Sequence, residues 1–269
     1  MSVITFLSDY GYTDEFVGVC HGVLATWCPQ AKVIDITHGI RRHDIRAGAV
    51  ALRGAVRYMP PGVHMAIVDP DVGRPSRRAV ALRTTARNHI LVGPDNGLLA
   101  LAAGRLGGVV EAIDIGDSAY RLDPVCATFH GRDIFSPVAA ALASGVKLEE
   151  TGQPFDPSKL KGIDVQRPRI DGDRMIAQVL TIDQFGNIEL NVDHAQIVDF
   201  GLKLGMSVEL IVDGVDSQAN YCAAFADARR DSLLVYEDAQ QQLAIAVNHG
   251  SAAERLGIER DSEIRLRIA

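Results

Sequence analysis

The sequence predicts an α/β N-terminal domain, a central sheet with helices on both faces, followed by a smaller, mainly-β, barrel-like C-terminal domain. Three observations lead there. Over the first half, short β-branched runs alternate with helix-length segments, the pattern of a sheet covered on both sides. From 151 to 173 that periodicity gives way to Pro, Gly, Asp and Lys. Beyond 173, strand-like runs follow one another with little helical spacing between them, as in a small barrel or sandwich. The domains are therefore drawn at residues 1–160 and 174–269, with a connector at 161–173.

In chain order, strands are expected at 3–7, 33–36, 63–68, 79–82 and 89–92. Between the first two, residues 15–27 set Phe16, Val19, Val23 and Leu24 near one helical face, and Asp14 is available as its N-cap. Residues 44–58 form a second helix whose alanines suit close packing on a sheet. A third begins near Phe135 and runs through PVAAALASG, where Gly145 supplies the stop. In the second half, RMIAQVLTIDQFGNIELNV places two β-branched runs around a QFGN turn, which predicts a hairpin. Short strands at 207–212, 232–235, 243–247 and 263–268 complete it, with a loop and helix start in NHGSAAERLG.

Composition narrows the functional classes. With 27 Lys+Arg against 34 Asp+Glu, the net charge of −7 argues against a basic nucleic-acid surface. A 47% hydrophobic content over 269 residues supports a sizeable core, and the 6% aromatic share makes that core aliphatic. The four cysteines are dispersed, with no C-x-x-C pair, so neither a disulfide framework nor a zinc site is indicated and a cytoplasmic location is expected. No apolar run approaches the roughly 18 residues of a membrane span, and the first strand meets a carboxylate at Asp9, so neither a membrane nor an export leader is expected.

Open α/β sheets bind ligands beyond the carboxyl ends of their strands, where loops converge. Asp9 closes the first strand in FLSDYGYTDEF and Asp69 closes another in MAIVDPDVGRPSRR. Asp9 alone reads equally well as a turn or N-cap residue. The loop from Asp69 to Arg78 carries two acids and three arginines beside Pro and Gly, a density that usually marks function, although Arg74 and Arg78 taken singly read as solvated charges. ATFHGRDIFSP places His130, Arg132 and Asp133 at a helix start, and Gly131 lets the chain beside His130 approach a ligand. Metal-ligand spacings such as H-x-x-x-H are absent and the arginines repel a divalent cation, so no metal is expected. Dinucleotide, triphosphate and G-x-S-x-G signatures are absent too. In the turn Asp183-Gln-Phe-Gly-Asn187, Gly186 supplies positive φ, Phe185 a flat face, and Asp183 and Asn187 groups that hold an amino-acid head group or a ribose.

Seven ordered motifs span nearly the whole chain: SDYGYTDEFVG (8–18), ITHGI with HDIRAGA (36–49), VDPDVGRPSRRAV (68–80), VGPDNGLL (92–99), TFHGRD (128–133), TIDQFGNIELN (181–191) and AIAVNHGSAAERLG (244–257). Together they resemble the S-adenosyl-L-methionine (SAM) hydroxide adenosyltransferases, the adenosine-forming SAM hydrolases, and their relatives the SAM-dependent fluorinases and chlorinases. The resemblance implies SAM as substrate with no further cofactor, and a homotrimer holding each SAM between the N-terminal domain of one subunit and the C-terminal domain of a neighbour. It carries the family's Asp–Arg–His set onto Asp69, Arg77 and His130, and the ribose-binding acid onto Asp9. The methionine-side acids fall on Asp14 and Asp183; Phe185 and Asn187 match the pocket residues of the C-terminal turn, with Phe185 expected near the adenine, and the Val247 strand reads the adenine through main-chain groups. Halogenases of this group carry Tyr at the position of Asp69 and a Tyr-Ser or Tyr-Gly pair at His130-Gly131, so Asp and His favour hydrolysis at C5′ to adenosine and L-methionine. A chlorinase, or a SAM- or adenosine-binding protein with little turnover, is the alternative.

The chain departs from the family pattern at four places. Asp71 replaces a Gly; the loop is one residue longer, which sets Arg78 beside Arg77 as a rival; His43 replaces an aromatic next to the substrate; and Ala244 replaces an acid.

Overall fold

Residues 2–86 and 88–269 are described by a computed structural model of the chain. It divides into two units, one ending at Ile163 and the other spanning Asp164–Ala269. In the first, strands β1 (Val3–Ser8), β2 (Lys32–Thr37), β3 (Gly62–Ile67), β4 (Ala79–Thr84), β5 (His89–Pro94), β6 (Val109–Asp114) and β7 (Gln153–Phe155) make one mixed sheet. Its order is β2-β1-β3-β5-β4-β6-β7. β1, β2, β3 and β5 run parallel, whereas β4 is antiparallel to β5 and β6. Helices α1 (Phe16–Trp27), α2 (Ile45–Val56), α3 (Ala100–Arg105) and α4 (Ser136–Ala143) accompany it.

Both faces of the sheet are covered, which is why β1 and β3 are buried at every position after their first. Ile4, Phe6, Met65 and Ile67 pack with Leu24 of α1 and Val138 of α4 on one face. Leu7, Ala66 and Val68 pack with Leu52 of α2 and Ala102 of α3 on the other. Asp44 caps α2 by accepting the Ala47 N–H at 2.8 Å. Asp14, expected to cap α1, does not: the helix starts after Glu15 with no side-chain cap, and Asp14 instead lines a pocket. The helix expected near Phe135 begins a turn earlier as a π-helical turn, Gly131–Phe135, that flows into α4. Such wide turns recur at functional sites because they reposition a side chain.

The second unit contains β8 (Arg169–Asp171), β9 (Arg174–Ile182), β10 (Ile188–Asp193), β11 (Ser207–Val212), β12 (Val215–Tyr221), β13 (Leu233–Glu237), β14 (Gln242–Val247) and β15 (Glu263–Ile268). It also has two short helices, α5 (His194–Asp199) and α6 (Ala252–Leu256). The expected hairpin is β9–β10, and that pairing closes the ring β10-β14-β13-β12-β11-β15-β9 into a seven-stranded barrel with β8 alongside β9. Its interior holds Val179, Leu190, Val208, Val235, Ile245 and Leu266. Closure removes the exposed strand edges that a sheet of this size otherwise presents.

The sequence does not announce β6, β7, β8 or β12, nor α3 and α5. β12 (VDSQANY) lacks an apolar face long enough to register, and six-residue helices are too short to establish a 3.6-residue period. Among the described residues, no helix is long and apolar enough to cross a membrane.

Candidate active site

In the first unit the ends of β1 and β3 set the site. The Asp9 N–H donates to the Ile67 carbonyl at 3.3 Å, which lays the Asp9 loop across the end of β3. Gly11, at φ 68°, turns that loop back so that its N–H reaches the His38 carbonyl at 2.8 Å. The His43 N–H donates to Asp9 Oδ2 at 2.9 Å, with His43 itself in the left-handed region at φ 66°. One Asp9 oxygen is thus held by the chain, which fixes the carboxylate's orientation.

Past β3 the chain runs through Asp69 into the Arg-rich loop. Two tight turns, Val72 N–H to Asp69 O and Arg74 N–H to Asp71 O, fold the loop so that Arg77 points back toward Asp69. A Cβ at Gly73 would lie 2.5 Å from the Ala127 carbonyl oxygen, so only glycine permits the 69–78 loop to approach the 126–130 loop. That approach brings Arg77 Nη2 to 3.1 Å from Asp69 Oδ2 and into a short hydrogen bond with His130 Nδ1. The Arg77 and Asp69 side chains are only 2% and 6% exposed. Although the two form an ion pair, its angles fall outside hydrogen-bond geometry, so both Asp69 oxygens are buried without a hydrogen-bond partner.

This arrangement sets the protonation states. Burial pushes the Asp69 carboxyl up to about 6, against the opposing pull of Arg77. Burial, reinforced by the Arg77 guanidinium, holds the His130 imidazole below its ordinary range. A guanidinium only donates, so His130 Nδ1 is the acceptor and the ring proton of the neutral imidazole resides on Nε2. Arg78, the rival, is spent elsewhere: it binds Asp95 Oδ2 at 2.6 Å, donates to the Lys159 carbonyl and lies over the Phe155 ring at 4.4 Å.

Asp9, Asp14, His43, Asp69 and His130 line one pocket of about 400 Å³, with Arg77 packed behind it. Tyr10, Phe16 and Phe129 complete its wall as an aromatic trio with ring centroids 5.2–5.9 Å apart. Sequence reasoning missed these three and Arg42, which also lines the pocket. Tyr10 was visible beside Asp9, but nothing in its spacing says that it points inward. Another cavity of about 420 Å³ lies in the same unit, between β4, α3 and residues 157–162. Its walls are mostly aliphatic and carry no titratable cluster, so size does not decide the matter.

In the barrel unit, Asp183, Phe185, Asn187 and Val247 gather at a second pocket of about 950 Å³. Asp183 organises its own turn: Oδ1 accepts the Phe185 and Asn187 N–H groups at 2.8 and 2.9 Å, and Oδ2 accepts the Asn187 side-chain amide at 2.8 Å. Gly186, at φ 80°, leaves no room for a Cβ against Ser251. The turn holds Phe185 67% exposed. Phe225 and Tyr236, with centroids 5.0 Å apart, line the same pocket and were not anticipated.

Two family models match in sequence order, the SAM hydroxide adenosyltransferase N-terminal domain over residues 4–152 and the C-terminal domain over residues 177–265. This chain belongs to the SAM hydroxide adenosyltransferase family. Among its relatives, an "(R)-S-adenosyl-L-methionine hydrolase" of Salinispora tropica is 43% identical over 263 residues, covering 98% of this chain and 97% of the relative. One of the same name from Thermus thermophilus is 33% identical over 99% of this chain and 100% of the relative. A "Fluorinase" of Nocardia brasiliensis is more distant, at 25% identity over 99% of this chain and 97% of its own. The crystal structure of an uncharacterized conserved protein from Thermotoga maritima superposes with a TM-score of 0.92 at 32% identity, covering 98% of this chain and 99% of that one.

Proposed function

We propose that the chain hydrolyses SAM at C5′ to adenosine and L-methionine. The observation that carries this reading is a buried carboxylate, Asp69, with both oxygens free of hydrogen bonds on the wall of the pocket that also holds Asp9. Relatives at 33–43% identity bearing the name (R)-S-adenosyl-L-methionine hydrolase support it.

In this reading the free oxygen of Asp9 takes the ribose hydroxyls, and Asp14 and Asp183 face the ammonium end of the substrate. Phe185 and the Val247 strand take the adenine, with Asn187 lining the same pocket. Water attacks C5′ in line with the sulfonium: the C5′–O bond forms, the C5′–S bond breaks, and its electron pair leaves on sulfur as the neutral thioether of methionine. The water's proton passes to Asp69, whose carboxyl near 6 is ionised at neutral pH yet basic enough to accept it. His130 contributes the Nε2–H as a donor to the water oxygen, and Arg77 holds Asp69 and His130 in register. Sulfonium is already a good leaving group, so positioning and a partly desolvated nucleophile suffice, and no cofactor enters.

The assembly in this reading is a homotrimer, with the N-terminal unit of one copy and the C-terminal unit of a neighbour facing the same SAM. The exposed Tyr12 and Phe185 rings, 69% and 67% accessible in a single chain, support such a partner surface. The free cysteines at 20, 28, 126 and 222 suit the cytoplasm. Incubating the protein with SAM, with and without chloride, and separating the products tests the activity. Adenosine and methionine in both arms are expected. Chloride-dependent 5′-chloro-5′-deoxyadenosine, or tight SAM binding with no product, would overturn it.

A further inference from the structure

Behind the Asp9 loop, on the α1 side of the sheet, three side chains converge that the reaction does not use. His21 comes from α1, and Asp35 and His38 from the end of β2. His21 Nε2 lies 2.9 Å and His38 Nε2 3.2 Å from the same oxygen, Asp35 Oδ1. All three ligand atoms lie within 4.8 Å of one another.

His38 is wholly buried, and its Nε2 makes no hydrogen bond, because Asp35 Oδ1 sits close to it but off the N–H axis. Its other nitrogen, Nδ1, lies 2.7 Å from Ser8 Oγ, and Ser8 Oγ also accepts the Tyr10 N–H. The ring is clamped between Phe6 and Tyr12, whose centroids are 4.5 and 5.1 Å away. When Nδ1 carries the proton toward Ser8, the Nε2 lone pair confronts a carboxylate oxygen at 3.2 Å. A cation lying between the two relieves that conflict, and an off-axis neighbouring oxygen is what two ligands of one metal present to each other.

We infer that His21, Asp35 and His38 form a binding site for a divalent transition cation of the zinc type. Two imidazoles and one carboxylate are the ligand set such ions favour, with water filling the remaining position. Ser8 holds the ring orientation of His38 through Nδ1, as an outer hydrogen-bond partner does for a metal-binding histidine. His21 and Asp35 are partly open to solvent, which supplies the entry path. The ion plays no part in the C5′ displacement. It ties α1 to β2 and, through Ser8, stiffens the segment that carries Asp9.

The test is Co²⁺ and Zn²⁺ titration of chelator-stripped full-length protein in a Cys126→Ser background, which removes the one exposed thiol among the described residues. One Co²⁺ per chain with a d–d absorption band is expected, displaced by Zn²⁺, together with a rise in melting temperature. His21→Ala should weaken binding by more than the about 10–100-fold that loss of an outer partner costs. His194→Ala, altering the imidazole that pairs with Glu237 on the barrel, should leave binding unchanged. Absence of stoichiometric binding, or unchanged binding in His21→Ala, overturns the site and leaves a hydrogen-bond chain only.

Discussion

Arg77 Nη2 donates to Nδ1 of His130 while lying 3.1 Å from Asp69 Oδ2, so a single guanidinium bridges the two and sets which His130 nitrogen carries the proton. Because Arg77 can only donate, His130 Nδ1 accepts and its Nε2–H is left for the pocket, while the proposed mechanism makes Asp69 the base. This division of labour carries most of the expectations below.

The pH dependence follows from Asp69. Its carboxyl is raised to about 6, so the base is present above that pH and lost as pH falls through it. kcat/KM for SAM should therefore be flat above about pH 7 and drop about tenfold per unit well below 6. A profile that instead rises toward acid would contradict the assignment of Asp69 as acceptor.

Arg77 and Arg78 are adjacent in sequence but opposite in consequence. Arg77→Lys removes the planar fork that reaches two partners at once, and kcat should fall by about 100-fold or more. Arg78→Ala breaks the contacts to Asp95, Lys159 and Phe155 instead, so stability should drop by about 1–3 kcal/mol while kcat changes little. Steady-state kinetics and thermal melts on both variants separate the two roles.

At Gly131 the constraint is steric. A Cβ there would stand 2.3 Å from the Tyr10 hydroxyl oxygen and 3.2 Å from the next ring atom. Gly131→Ala should displace Tyr10 into the pocket and lower kcat/KM by about tenfold or more. Adding Tyr10→Phe deletes the offending oxygen, so the double variant should recover part of the loss. If the double variant is worse than Gly131→Ala alone, the clash is not the cause.

Far from the pocket, His64 is wholly buried, with Nδ1 on Thr5 and Nε2 on His89, and its rings stack at 5.1 Å. Burial lowers its imidazole to about 4. An unfolded chain protonates this histidine near 6.5, so between those values the unfolded state binds the extra proton and stability declines as pH falls. The span corresponds to about 3 kcal/mol, lost between pH 6.5 and 4 and fully present above 6.5. Denaturant melts at pH 7 and 4.5 should show the loss in the parent and a much smaller one in His64→Gln.

How much of this was legible in the sequence varies with the physics involved. β1, β3 and the β9–β10 hairpin could be read because burial on both faces, or a Gly-bearing turn between β-branched runs, leaves a strong local pattern. β12 and α3 could not, since their stability comes from neighbours rather than from their own composition. At the site, Asp9, Asp69 and His130 were visible because each closes a strand or opens a helix. Arg77 was preferred to Arg78 only through the family resemblance, because the physical reason lies in two turns and in the approach that Gly73 permits. Likewise the convergence of His21 with Asp35 and His38 joins segments whose spacing matches no metal motif, so only the packing of α1 beside β2 reveals it.

The central claim is that Asp69 directs water to C5′ of SAM. Running the reaction in water enriched in ¹⁸O and weighing the adenosine formed tests it directly. One heavy oxygen at the 5′-hydroxyl is expected, with the rate in Asp69→Asn reduced by at least about 100-fold. Adenosine without the label, or an Asp69→Asn protein that still forms labelled adenosine at the parent rate, would contradict the account.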